Sequence, residues 1–440
     1  MNPDHLSIRP NQPSREPNPM KRFAITSLTI LIVCAAWAGI VYAALDRGWG
    51  LRPIAEQGDT QAFLAEAEKT AATKSAGNLA LVLIEDGERV GDFQFSKGNP
   101  VDGDALFQVA SLGKWLTAWG VMVLVEDGSI DLDAPVSRYL TRWQWPASEF
   151  DTSEVTVRRL LSHTAGLSDG LGYDGFATAA ERQTLEQSLT RAADASPGKD
   201  GRVAVGSRPG SGWEYSGGGY TVLQLVIEEI SGQSFEDFMR DRVFHPLGMR
   251  RTTFDHKQAL ELGVAQNFRS DGGSEPFRWY TALAATSLFT TANDLARFLE
   301  VQAAGRANPV LGVDAMKEIV TPHASQMGAE IWGLGAMLYA PNNAGGYVFG
   351  HDGSNGPAIN TAARIEPSTG DGIVVLSTGH TTLATELAGE WVFWKTGNVD
   401  NLSFLTRLPI ALTILALGWC LIFAISILWA ARTKRPQSDA

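Results

Sequence analysis

The sequence predicts an α+β domain, an antiparallel sheet flanked by helices plus a helical lobe, with a transmembrane helix at each end. Strand-forming segments gather at the two ends of the central stretch, near residues 79–95 and 361–377. Between them lie helix patterns broken by Gly and Pro, and two long apolar runs, residues 23–45 and 408–431, flank the whole. Strands from both ends of a segment that meet in one sheet, with helices inserted between, define the α+β class.

In chain order, residues 1–22 read as a tail, rich in proline and without an apolar period. Residues 23–45 are interrupted mainly by Thr26, Ser27 and Thr29, and residues 408–431 have the same texture. Each run is long enough to cross a hydrocarbon core of roughly 30 Å as a helix rising about 1.5 Å per residue. Lys21 and Arg22 precede the first run, and Arg432, Lys434 and Arg435 follow the second. The positive-inside rule then puts the tails 1–22 and 432–440 in the cytoplasm. The segment between lies across the cell (inner) membrane, periplasmic or extracellular, with lipid around the two helices. A cleaved signal peptide is the competing reading of the first run, because Val41-Tyr42-Ala43 resembles a small-residue cleavage site. The long leader of mixed charge ahead of Lys21 favours a retained anchor.

Residues 52–397 have one continuous texture, without repeats, and are ample for a single buried core. The expected elements are a helix over 61–72, a hairpin of 79–85 and 89–95 about the Asp86-Gly87 turn, and a buried helix over 111–125. Helices over 220–230, 235–243 and 292–303 follow, then strands over 361–365 and 372–377, and a closing helix over 381–394. A cleft between sheet and helical lobe is where a small-molecule or peptide substrate would bind. The net charge of −12, with no long basic run in the middle, argues against a nucleic-acid partner. The two cysteines, Cys34 and Cys420, both sit in the apolar runs, so neither a disulfide nor a thiolate metal cluster can form in the central segment.

Three patterns could carry chemistry. Ser111-Leu112-Gly113-Lys114 places an ammonium one helical turn from a hydroxyl, and a serine is a poor nucleophile until a neighbour takes its proton. Ser196-Pro197-Gly198-Lys199 has the same letters, but its Pro and Gly exclude a helix. Tyr215 stands at the lip of a glycine-rich turn before a helix. Its phenol serves as a base only if a nearby cation, here a lysine, lowers its pKa from about 10. Gly350-His351-Asp352-Gly353-Ser354 lies in a strand-like run, where a small Gly353 would let substrate lie against the edge and a backbone N–H would meet an oxyanion.

Ser-x-x-Lys, then Tyr-x-x, then His-x-Gly, in that order and widely spaced, resembles the serine β-lactamase and penicillin-binding superfamily. The branch it looks like holds class C β-lactamases, D-alanyl-D-alanine carboxypeptidases, D-aminopeptidases and related esterases. Further matches are the stretches 160–167, 245–249 and 287–299. The resemblance implies a serine hydrolase domain over residues 52–397 in which Ser111 forms an acyl-enzyme and Lys114 and Tyr215 shuttle protons. It implies an oxyanion hole from the N–H groups of Ser111 and Ser354, substrate binding by His351 and Gly353, a structural turn at His163, and no metal or organic cofactor. Two departures stand out: Gly217 where lactamases and carboxypeptidases usually carry Asn, and His351 where they usually carry Lys. These favour an amide or ester substrate. A true β-lactamase or carboxypeptidase, and a non-catalytic penicillin-recognising receptor, are the alternatives.

Overall fold

The computed structural model describes residues 19–433. Most of the two expected tails, including Lys434 and Arg435, lies outside the described residues. The chain forms two compact units, Arg52–Ser403 and the segments on either side of it.

The larger unit is built on an eight-stranded antiparallel sheet. Its strands in chain order are β1 (Leu79–Glu85), β2 (Glu88–Phe95), β3 (Ala324–Gln326), β4 (Ala329–Trp332), β5 (Met337–Pro341), β6 (Tyr347–Asn355), β7 (Ile359–Glu366) and β8 (Asp371–Thr378). Across the sheet they run β2-β1-β8-β7-β6-β5-β4-β3, so the two ends of the unit meet where β1 pairs with β8. The β1–β2 hairpin turns on Asp86 at φ 52° and Gly87 at φ 70°, the paired positive dihedrals that a two-residue turn matched to strand twist requires.

Three helices near the sheet position the site. They are α3 (Gly113–Glu126), continuing a 3₁₀ turn over Ala110–Leu112, α4 (Val157–Leu161) and α5 (Gly217–Ser231). Ser216 caps α5 by accepting from the Gly219 N–H, and Gly232 ends it in the left-handed conformation at φ 66°. These helices and α6 (Ala292–Glu300) share one core with Ala80, Val82 and Ile84 of β1. The opposite face of the sheet is covered by α2 (Thr60–Lys74) and α7 (Leu383–Thr396), whose Phe63, Trp391 and Trp394 pack on Leu79, Leu81 and Leu83. Because β1 is buried on both faces, it reads as a continuous apolar run rather than an alternation.

The expected elements occur within a few residues of their bounds, with one difference in kind: the helix expected over 235–243 is an α-helix Phe235–Met239 that continues as a π-turn, Arg240–Phe244. Strands β3, β4 and β5 were not foreseen. They are three to five residues long, and Gly333 and Gly335 break the apolar pattern between them.

The smaller unit contains α1 (Pro19–Asp46) and most of α8 (Asn401–Thr433). Both are long and apolar enough to cross a membrane, over Phe23–Asp46 and Asn401–Ala430. Within this unit Trp37 fills a notch at Gly418, where a Cβ would come within 2.0 Å of the indole nitrogen, and the Trp419 indole donates to the Cys34 carbonyl at 3.1 Å. Small residues let two helices approach closely in this way. Phe23, Leu31, Leu417 and Leu421 point outward, exposed.

Candidate active site

Ser111 sits in the 3₁₀ turn ahead of α3, preceded by Ala110 at φ 49°. That backbone costs an alanine on the order of 1–3 kcal/mol and persists because the sheet fixes the turn. The Val109 carbonyl accepts from the Thr361 hydroxyl of β7 at 2.9 Å and lies directly over Gly353 of β6, where a Cβ would stand 2.0 Å from it. Gly353 therefore seats the Ser111 turn. This corrects the expectation that its missing side chain makes room for substrate: protein backbone already occupies that space.

Lys114, 2% exposed, donates to Ser111 Oγ at 3.0 Å and to the Ala285 carbonyl at 2.6 Å. Its Nζ stands 5.0 Å from the centre of the Tyr215 ring and 5.6 Å from that of Tyr220. Burial lowers its pKa from 10.5 to about 7, so about half the molecules carry a free amine at neutral pH. The Tyr215 phenol moves the other way. Burial pushes its pKa up, opposed only in part by the hydrogen bond it shares with Ser111. The expectation that a lysine charge would lower the phenol is thereby overturned. The enclosure that disfavours the charged form of Lys114 also disfavours a tyrosinate.

His163 holds the Tyr215 turn. It follows α4 at φ 58°, its carbonyl accepts the Glu214 N–H at 2.9 Å, and its Nδ1 accepts the Ser216 N–H at 3.1 Å. Its ring lies 4.4 Å from that of Tyr215, with Trp332 closing the cage at 4.7 Å from His163 and 5.8 Å from Tyr215. Asp169 secures the same turn, accepting from the Ser216 hydroxyl at 2.7 Å and the Gly218 N–H at 3.3 Å. At Gly217 a Cβ would stand 2.3 Å from the Leu171 carbonyl, so no side chain, and no amide, fits there.

His351 is 1% exposed. Its Nδ1 faces the Asp352 carbonyl, which can only accept, so the proton is on Nδ1 and the buried Nε2 is a lone pair without a hydrogen-bond partner. Burial, and Lys114 nearby, lower its pKa to about 4. The imidazole is neutral and enclosed, and so offers no fixed charge where a lysine would. Ser354 is exposed on β6, which pairs with β5 only as far as Gly350, leaving residues 351–355 flanked by β7 alone.

The second Ser-x-x-Lys copy is not helical. The Ser196 hydroxyl donates to Asp174 at 3.0 Å and Lys199 is exposed. Among the described residues no group of three His, Cys, Asp or Glu side chains is placed to hold a metal ion. The sequence reading missed Ala285, Trp332 and Asp169. The first acts through its backbone, and the others are joined to the site only by folding.

A sheet backed by helices, with a buried lysine amine against a serine hydroxyl at the head of a central helix, defines a serine hydrolase. The beta-lactamase family model matches residues 64–392, and the chain belongs to that family. It is 28% identical over 319 residues to penicillin-binding protein 4 of Amycolatopsis lactamdurans, covering 67% of this chain and 79% of that one. It is 29% identical over 308 residues to the esterase EstB of Burkholderia gladioli, covering 58% and 75%. The fold matches the octameric penicillin-binding protein homologue of Pyrococcus abyssi with a TM-score of 0.63 and 24% identity, over 77% of this chain and 78% of that one.

Proposed function

We propose that this chain is a membrane-anchored hydrolase that acts through an acyl-enzyme at Ser111 on an amide or ester substrate outside the cytoplasm. The observation that carries the reading is the contact of 3.0 Å between the buried Lys114 amine and Ser111 Oγ. As the hydroxyl oxygen attacks the substrate carbonyl, its proton passes to the unprotonated Lys114 amine, and a tetrahedral oxyanion forms. The N–H groups of Ser111 and Ser354 receive that oxyanion. Collapse breaks the bond to the leaving amine or alcohol, which takes a proton from the Tyr215 phenol, and Lys114 returns one to Tyr215. Water, deprotonated by the same pair, then cleaves the ester to Ser111. Lys114 and Tyr215 titrate as a coupled unit in this scheme.

An ester or simple amide is favoured over a β-lactam. Gly217 has no room for the amide side chain usual in lactamases, and His351 offers no positive charge to a carboxylate. The esterase relative is consistent with this choice. The domain is taken as residues 52–397. Anchoring rests on the two apolar helices with outward-facing Phe, Leu and Ile side chains, and orientation rests on Lys21 and Arg22 at one end and Arg432, Lys434 and Arg435 at the other.

The test is labelling with a fluorophosphonate and peptide mapping, with turnover of nitrophenyl esters and a cephalosporin measured side by side. Ser111→Ala should lose both label and turnover, and Ser196→Ala should keep both. A label on any other residue, or full turnover by Ser111→Ala, would sink the assignment.

A further inference from the structure

The strand that borders Ser111 is held from behind by buried charge. His351 and Gly353 face the Ser111 side of the sheet, so Asp352, between them, faces the opposite side. Its carboxylate accepts from the Tyr339 hydroxyl at 2.6 Å, the Thr385 hydroxyl at 2.6 Å, and Arg364 Nη2 at 3.2 and 3.3 Å. Arg364 is wholly buried in β7, its guanidinium 4.0 Å from the centre of the Tyr339 ring. Tyr339 reaches this spot because it is the extra residue of a bulge: Val348 pairs with Ala340 and Phe349 with Leu338, leaving Tyr339 unmatched. The other guanidinium arm, Nη1, lies 2.5 Å from Asp400 Oδ2, also wholly buried. Asp400 in turn accepts the Ser403 N–H at 2.7 Å and so caps the first turn of α8.

Stability alone does not account for this cluster. Buried ion pairs are often no better than well-packed apolar residues, because taking the charges out of water offsets their attraction. Directed contacts do fix geometry, and geometry is what this strand needs. Over residues 351–355 it lacks a neighbour on the β5 side, yet an oxyanion donor must hold its place to within about 0.5 Å. We propose that Asp352, Arg364 and Asp400 form a positioning device that holds the His351–Ser354 edge against the Ser111 turn and ties it to the Asp400–Ser403 turn of the same unit. This rests on the reading of Ser111 as nucleophile, with the β6 edge beside the reacting carbonyl.

The experiment uses the full-length protein in detergent, with fluorophosphonate titration of Ser111, kcat and KM on a nitrophenyl ester, and thermal unfolding. Asp352→Asn should still label at Ser111 while kcat per labelled site falls about tenfold or more, with KM changed less than about threefold. Asp400→Asn should fall less, and the double variant should be no slower than Asp352→Asn alone, since Asp400 acts through Arg364 on Asp352. Thr385→Val, which removes one hydroxyl from the back of the sheet, should shift kcat the same way by less, and it decides the matter if Asp352→Asn does not fold. An unchanged kcat per labelled site with a lowered melting temperature would mean a purely structural cluster and overturn the proposal. Losses that multiply in the double variant would remove Asp400 from the device. Absence of label on Ser111 in the parent chain would instead condemn the nucleophile assignment.

Discussion

Titration of Lys114 should set the pH dependence of acylation. With a pKa of about 7, the free amine makes up about a tenth of the protein at pH 6 and about nine tenths at pH 8. Because the unprotonated form receives the Ser111 proton, kcat/KM should rise about tenfold across that interval and level off above it. A neutral nitrophenyl ester followed under single turnover isolates the acylation step from substrate ionisation. His351 and His163 do not confuse the profile, since burial lowers both. Lys114→Arg should cost about 10²–10⁴-fold at every pH, because a guanidinium keeps its proton. The same burial bears on stability. The unfolded chain holds this proton up to about 10.5, but the folded chain releases it near 7, so stability should rise with pH between those values. The shift is worth on the order of 5 kcal/mol, and Lys114→Met should recover much of it at pH 6 while abolishing turnover. A flat rate profile from pH 6 to 8, or one still climbing above pH 9, would refute a buried amine as base.

Three further outcomes are expected. His351→Lys should bury a second cation near Lys114, destabilising the domain by about 3 kcal/mol or more without tightening carboxylate-bearing substrates; a clear drop in their KM would show that this position does read charge. Gly353→Ala should push the Val109–Leu112 turn off the sheet and depress kcat far more than Gly212→Ala, where a Cβ meets open space; equal activities would remove Gly353 from the support of Ser111. A reporter active only outside the cytoplasm should work when fused after Gly397 and fail after Ala440, and activity at both points, or at neither, would end the two-anchor topology.

What the sequence determined by itself was local or repeated. The Asp86-Gly87 hairpin, the apolar helix behind Ser111 and the two flanking apolar runs follow from turn chemistry, periodicity and length, which act over neighbouring residues. The choice between two Ser-x-x-Lys copies was also local, because Pro197 and Gly198 forbid the helix that Gly113–Glu126 forms. Electrostatics and close approach were decided only by the tertiary structure. Whether Lys114 is charged depends on enclosure by residues as distant as Ala285, and the same enclosure lowers the His351 pKa well below that of a free imidazole. The role of Gly353 turned from facing substrate to seating Val109, a contact between segments 244 residues apart that no periodicity records. Strands β3 to β5 escaped notice because they are short and broken by glycine, and they form by pairing onto a sheet already built. Burial and long-range contact set pKa values and backbone seats, and both exist only once the chain has folded.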